Sequence, residues 1–160
     1  MVLDVCTGGE RPASHYQPDK LIEKFDALKT YFTAGEFYEK MLYYRLLLDY
    51  YTIRRDIKDG QGNYSLILKG PKDDSDKLKQ YQSMLYVSTE AFYNWLKPYL
   101  RKLEQDELHS CAEMLAFLKK GDNERHSILP ARKDLSYKAS GNIRYWFWRL
   151  DYYLWEQRST

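Results

Sequence analysis

The stretch Asn142 to Glu156, NIRYWFWRLDYYLWE, holds three of the four tryptophans in the chain. At about 100° per residue, Ile143, Trp146, Phe147, Leu150, Tyr153 and Leu154 share one side of a helix, the stripe expected to dock on a core. Trp148 and Trp155 fall outside that stripe, beside Arg144 and Asp151. A second apolar surface follows, which a simple surface helix does not carry. Such a helix wants neighbours on two sides: it is either the central helix of a bundle or a piece of something larger. Arg144, Trp148, Asp151 and Trp155 are therefore a candidate partner surface, with a buried ion pair in a core as the competing reading.

Working outward, the remaining chain reads as further helices and one interruption. Asp19 can cap a helix with Leu21, Ile22, Phe25, Leu28, Tyr31 and Phe32 on its apolar side, ending near Gly35. Phe37, Met41, Tyr44, Leu47, Leu48 and Tyr51 continue at helical spacing. The runs TIRRDIK and NYSLILK then flank DGQGN, which predicts a small hairpin near 52–69. Pro71 and the acidic DDSD run open a helix from about Ser75, with Leu78, Tyr81, Met84 and Leu85 inward. A break at Val87 to Thr89 is expected, then a helix that Pro98 should kink or restart near Leu96. Leu100, Leu103, Leu108, Met114, Leu115 and Leu118 carry the helical pattern on to Gly121, read as a C-cap. Asp122 to Gly141 reads as a connector, and residues 1–18, with their glycines and prolines, as an irregular, partly disordered lead.

The fold class expected is mainly α: one domain over 19–160, a bundle of about five to six helices with one small β-hairpin. A chain of 160 residues, 44% hydrophobic and 30% charged, can bury a core of its own. Its 25 basic and 23 acidic residues nearly cancel, so no overall field draws in nucleic acid or membrane. Tyrosine, present 16 times, offers contact area with a polar tip. Cys6 and Cys111 make no disulfide framework, no secretory leader is evident and no apolar run could span a bilayer; a cytoplasmic setting is expected.

Chemistry is hard to place on these residues. His15, His109 and His126 lack metal-ligand spacing, and His126-Ser-Ile-Leu-Pro130 has no second histidine after it, so neither metal nor other cofactor is expected. Asp59-Gly-Gln-Gly62 lacks the Lys-Ser/Thr of a phosphate loop. Arg101 and His109 are too far apart, and Arg11 and His15 too close, for the Arg-to-His motif of helical HEPN ribonucleases. Neither cysteine has a basic neighbour to activate it. A local contact with DNA or RNA has candidates in Arg54, Arg55, Lys58 and Lys69 on the hairpin, diluted by Asp56 and Asp59; a merely solvated hairpin is the alternative.

Taken in order, YYRLLLDYYTIRRD (43–56), NYSLIL (63–68), DKLKQYQSMLYVS (76–88), FYNWLKPYL (92–100) and RYWFWRLDYYLWE (144–156) resemble the helical region of the GmrSD-like, type IV modification-dependent restriction endonuclease family. The likeness spans about Tyr31 to Trp155. It implies a region lying between a ParB/sulfiredoxin-like nucleotidase domain and an HNH nuclease domain, in proteins that defend bacteria against phage with modified DNA. The family signature Asp-Gly-Gln-Gln-Arg is absent, Asp59-Gly-Gln-Gly62 lacking its arginine and lying at the hairpin, and the HNH motif would begin beyond Thr160. No catalytic residue carries over. The resemblance implies a non-catalytic segment that braces or links those catalytic parts, which are encoded in the same or an adjacent gene. An autonomous nucleic-acid-binding module acting through the hairpin is the other expectation.

Overall fold

The computed structural model describes residues 21–57, 64–71, 76–87, 92–127 and 142–159. The expected lead at 1–18, the Asp19 cap, the DGQGN turn with Lys58, Ser88, Thr89 and most of the connector (128–141) lie outside them. Among the described residues the protein is mainly α, with α1 Leu21–Leu28, α2 Ala34–Tyr51, β1 Arg54–Ile57, β2 Tyr64–Ile67, α3 Asp76–Val87, α4 Phe92–Glu104, α5 Cys111–Arg125 and α6 Asn142–Arg158. The bundle of helices with one hairpin is as expected. The chain divides into two compact units, Met1–Leu48 and Asp49–Thr160. Their boundary falls inside α2, where an unbroken helical pattern carries no linker signal.

In the first unit, a 3₁₀ turn at Lys29–Tyr31 follows α1, and the chain restarts at Thr33 rather than at Gly35. Thr33 Oγ1 accepts from the Glu36 N–H at 3.2 Å, and Glu36 Oε2 accepts from the Thr33 N–H at 2.7 Å. This reciprocal box satisfies backbone donors that a helix start leaves open. Phe32 stacks on Phe37 across it at 5.5 Å, and Phe25 meets both edge-on. The box holds the entry and the phenylalanines staple it. Along α2, Tyr44 and Leu47 are buried, whereas Tyr38, Met41, Leu42 and Leu46 are exposed.

The second unit is built around α3, not around the last helix as its aromatic content suggested. Leu78, Tyr81, Gln82, Met84 and Leu85 are all buried, and α3 packs against α5 and α6 while α5 packs against α4. Trp95, Tyr99, Leu100 and Leu103 of α4, and Cys111, Met114 and Leu118 of α5, complete the core. The hairpin pairs antiparallel, Arg54 opposite Ile67 and Ile57 opposite Tyr64. At its exit a Cβ on Gly70 would stand 3.0 Å from the Tyr51 ring and 3.2 Å from the Tyr50 carbonyl, a close approach that glycine makes without displacing either.

Two breaks fall elsewhere than the sequence suggests. The pattern read as continuous from Leu100 to Gly121 is divided: α4 stops at Glu104, Asp106 takes a left-handed φ of 55°, and Ser110 with Glu113 forms a capping box for α5. Aspartate accepts that conformation more readily than most residues. Conversely, α4 neither stops nor restarts at Pro98. Proline brings no N–H to the Asn94 carbonyl, and Arg125 Nη1 donates to it instead at 2.9 Å. The helix survives because another helix supplies the missing donor.

Gly121 is likewise no C-cap; α5 runs past it to Arg125, with His126 as the cap. A Cβ on Gly121 would lie 3.3 Å from Arg125 Nη1, the tip of a flexible, exposed side chain. The guanidinium must give by a few tenths of an ångström while keeping its bond to the Asn94 carbonyl, a small loss set against the cost of about 1 kcal/mol that glycine carries in a helix interior relative to alanine. Gly121→Ala is therefore expected to stabilise the fold by about 0.5 kcal/mol, read as a small rise in the urea midpoint.

Candidate functional site

The buried side of α6 is not the aliphatic stripe. Tyr145 and Tyr152 are buried, whereas Phe147 is 61% exposed, Leu150 52% and Leu154 45%. The helix is turned so that Tyr145, Arg149, Tyr152 and Glu156, at spacings of four, three and four, face α3 and α5. Ile143, Trp146 and Tyr153, also assigned to the stripe, are half-buried.

The reason lies in Asp122, fully buried on α5 in the segment read as the start of a connector. Its Oδ2 accepts from the Tyr81 hydroxyl at 2.7 Å and its Oδ1 from the Tyr145 hydroxyl at 2.6 Å. Arg149 Nε stands 3.6 Å from the same carboxylate, and Arg149 Nη1 donates to the Tyr145 hydroxyl at 3.0 Å. Asn123 takes a further bond from Arg149. One carboxylate thus ties α3, α5 and α6 together. Burial raises the pKa of the Tyr81 hydroxyl far above the ordinary phenol range, and the Asp122 charge raises it further; burial and the bond to Asp122 act likewise on Tyr145. Both phenols stay protonated donors, and the charge has the partners that burial demands. Asp122, Tyr81 and Tyr145 are buried, and the bonds among them hold the three helices together.

A turn further along, Lys119 Nζ donates to both oxygens of Glu156 at 2.7 Å, and the Tyr152 hydroxyl donates to Oε1 at 3.0 Å. Burial pushes the Glu156 carboxyl up, but the bonds from Lys119 and Tyr152 and the Lys119 charge outweigh it and hold it below the usual range. A carboxyl depressed in the folded state contributes stability above its unfolded pKa and loses it as pH falls through the folded value. Glu156→Gln is therefore expected to be less stable than the parent at pH 7, with the difference closing as the pH is lowered below about 4, a convergence that urea midpoints across pH would show.

With α6 so oriented, its candidate residues separate. Trp148 is 45% exposed, Trp155 half-buried, and Arg144 and Asp151 exposed. Trp148, Asp151 and Trp155 line a shallow cavity of about 340 Å³ with Gln80, Ser83, Met84, Val87 and Tyr152; Arg144 does not line it. The buried ion pair in a core is not Arg144 with Asp151, both exposed; that role belongs to Arg149 with Asp122. On the hairpin, Arg54 and Arg55 are exposed and line a second cavity of about 340 Å³ with Ile53, Leu66, Ser83, Tyr86 and Val87. Lys69 is exposed just beyond β2, 6.0 Å over the Tyr50 ring and outside that lining, while Lys58 falls outside the described residues.

Among the described residues no group of three or more His, Cys, Asp or Glu side chains is placed to hold a metal ion, and no helix is long and apolar enough to cross a membrane. No family model matches the chain, and no curated protein or solved structure matches it either.

Sequence reasoning missed Asp122, Arg149 and Gln82. The 4-3-4 spacing of polar-tipped residues on α6, Arg149 among them, is the signal that could have pointed to a buried polar partner such as Asp122.

Proposed function

We propose that this chain is a helical, non-catalytic interaction module whose partner-binding face is the outer side of α6. The observation that carries this is the exposure of Phe147, Leu150 and Leu154 on one helix side, with Trp148 at its flank. Contiguous exposed apolar side chains rimmed by charge are the mark of a protein contact. About half of each is already covered, so seating a partner would be worth on the order of 1 kcal/mol per side chain from apolar burial. In the setting implied by the sequence resemblance, the partner is the nucleotidase or HNH nuclease part of a restriction endonuclease, and the module braces or links those parts. Nucleic-acid binding through the hairpin is the second reading, drawn from the exposed Arg54 and Arg55.

The test is co-expression with the products of the flanking genes followed by size-exclusion chromatography. Co-elution that is lost in Phe147→Gln/Leu150→Gln/Leu154→Gln supports the reading. A chain that elutes by itself, or a complex indifferent to the three changes, overturns it.

A further inference from the structure

The outer side of α6 is a short coiled-coil seam. Ile143, Phe147, Leu150 and Leu154 follow one another at spacings of four, three and four, the rhythm that keeps apolar side chains in line against a second helix. Phe147, Leu150 and Leu154 are exposed and Ile143 half-buried, on the side of α6 away from the buried Tyr145 and Tyr152. One edge of the seam carries exposed charges of both signs. Arg144 and Asp151 stand two helical turns apart there, about 10 Å along the axis, and Arg158 follows two turns further on. The opposite edge carries Trp146 and Tyr153, both half-buried.

We propose that this seam pairs with itself: in the chain without its partner, α6 docks antiparallel on α6 of a second copy. This rests on the reading of the stripe as a protein contact and adds what covers it before the partner arrives. Turned end for end about a point between Trp148 and Arg149, the seam is complementary to itself. Phe147 meets Leu150 of the second copy and Ile143 meets its Leu154, and each contact occurs twice, as in any isologous two-fold interface. In an antiparallel pair like edges face each other, so Arg144 comes opposite Asp151 of the second copy, and Asp151 opposite its Arg144. Opposite charges at matching places select that register. A parallel pair would set the charged edge against Trp146 and Tyr153 and lose the match. Arg158 falls past the last layer of the antiparallel pair. Four part-covered apolar side chains with their edges amount to on the order of a few hundred Å² per copy, below the roughly 800 Å² per partner of a standard interface. The pair is accordingly weak and exchangeable, and a partner that covers more surface displaces the second copy from the stripe.

Sedimentation velocity of the purified full chain between about 1 and about 200 µM tests the proposal. The expected result is a reversible shift from monomer to dimer across that range. Arg144→Glu and Asp151→Arg, both at exposed positions, should each weaken the dimer by about fivefold or more, because each sets like charges opposite one another twice. An equimolar mixture of the two variants should dimerise as well as the parent, since each then meets the opposite charge on the other. The double variant Arg144→Glu/Asp151→Arg should do the same. Circular dichroism checks that the variants keep their helices, and the concentration series of the parent needs no variant. A chain that stays monomeric throughout overturns the second copy; if it still co-elutes with a flanking product through the stripe, the interaction module stands without it. A dimer that Phe147→Gln/Leu150→Gln/Leu154→Gln abolishes, in a chain that co-elutes with no flanking product, supports the self-pairing and removes the nuclease partner. A dimer that survives those three changes uses another surface and overturns the proposal. So does a dimer that ignores the charge reversals, or that is weakened by them and not restored in the mixture.

Discussion

Replacing Asp122 by alanine is expected to destabilise the protein by about 3–5 kcal/mol, the range seen when one partner of a buried charge pair is removed. The substitution takes the acceptor from the Tyr81 and Tyr145 hydroxyls and leaves Arg149, whose side chain is 12% exposed, without its opposite charge. Three helices lose their common tie. Asp122→Asn should recover part of the loss, since the amide oxygen still accepts one phenol. Urea unfolding checks both: the midpoint should fall steeply for alanine and less for asparagine. Equal midpoints for parent and alanine variant would mean that the cluster contributes nothing to cohesion.

The second large effect is expected at Gln82. Its side chain is fully buried and serves the end of α2 and the start of the hairpin together: Oε1 accepts from the Ile53 N–H at 2.8 Å, and Nε2 donates to the Tyr51 carbonyl at 3.0 Å. The Tyr99 hydroxyl also donates to that carbonyl at 3.0 Å. Gln82→Leu keeps the volume but leaves the Ile53 amide without its acceptor, a penalty of about 2–3 kcal/mol. Because Ile53 precedes Arg54 and Arg55, the variant should also loosen β1. Amide hydrogen exchange would read this directly, as faster exchange at Ile53 and along β1 with α4 and α5 little changed. Unchanged protection at Ile53 would contradict the role assigned to Gln82.

Much of this architecture is legible from periodicity. The inner face of α3 is the one expected, because Leu78, Tyr81, Met84 and Leu85 recur at helical spacing, with Gln82 buried beside them, and the hairpin follows from two short runs around a glycine-rich turn. The face of α6 is not legible in the same way. Hydrophobic spacing points to Phe147, Leu150 and Leu154, yet the side that is buried is the one whose polar tips find Asp122 and Lys119. Hydropathy scores a tyrosine or arginine by its own cost of burial, and that cost is offset when a carboxylate on another helix meets its polar tip. Pro98 and Gly121 mislead for a related reason. Each reads as a local breaker, but the donor that replaces the missing N–H of Pro98 comes from Arg125, remote in sequence, and α5 simply continues through Gly121 to Arg125.

The candidate surface was half legible. Trp148, Asp151 and Trp155 do share a cavity, and Arg54 and Arg55 share another, whereas that Ser83 and Val87 line both depends on the placement of α3. Neither residue has a chemistry that marks it in a sequence.

The central claim is that α6 docks by its tyrosine and arginine side and leaves its aliphatic stripe open for a partner. The most direct measurement is urea unfolding of Phe147→Gln/Leu150→Gln/Leu154→Gln beside the parent. An open stripe predicts a combined loss of about 3 kcal/mol, roughly 1 kcal/mol for the half of each side chain that the protein already covers. A loss of about 6 kcal/mol or more, the sum expected for three large core side chains, would show that the stripe is the core and would contradict the orientation of α6.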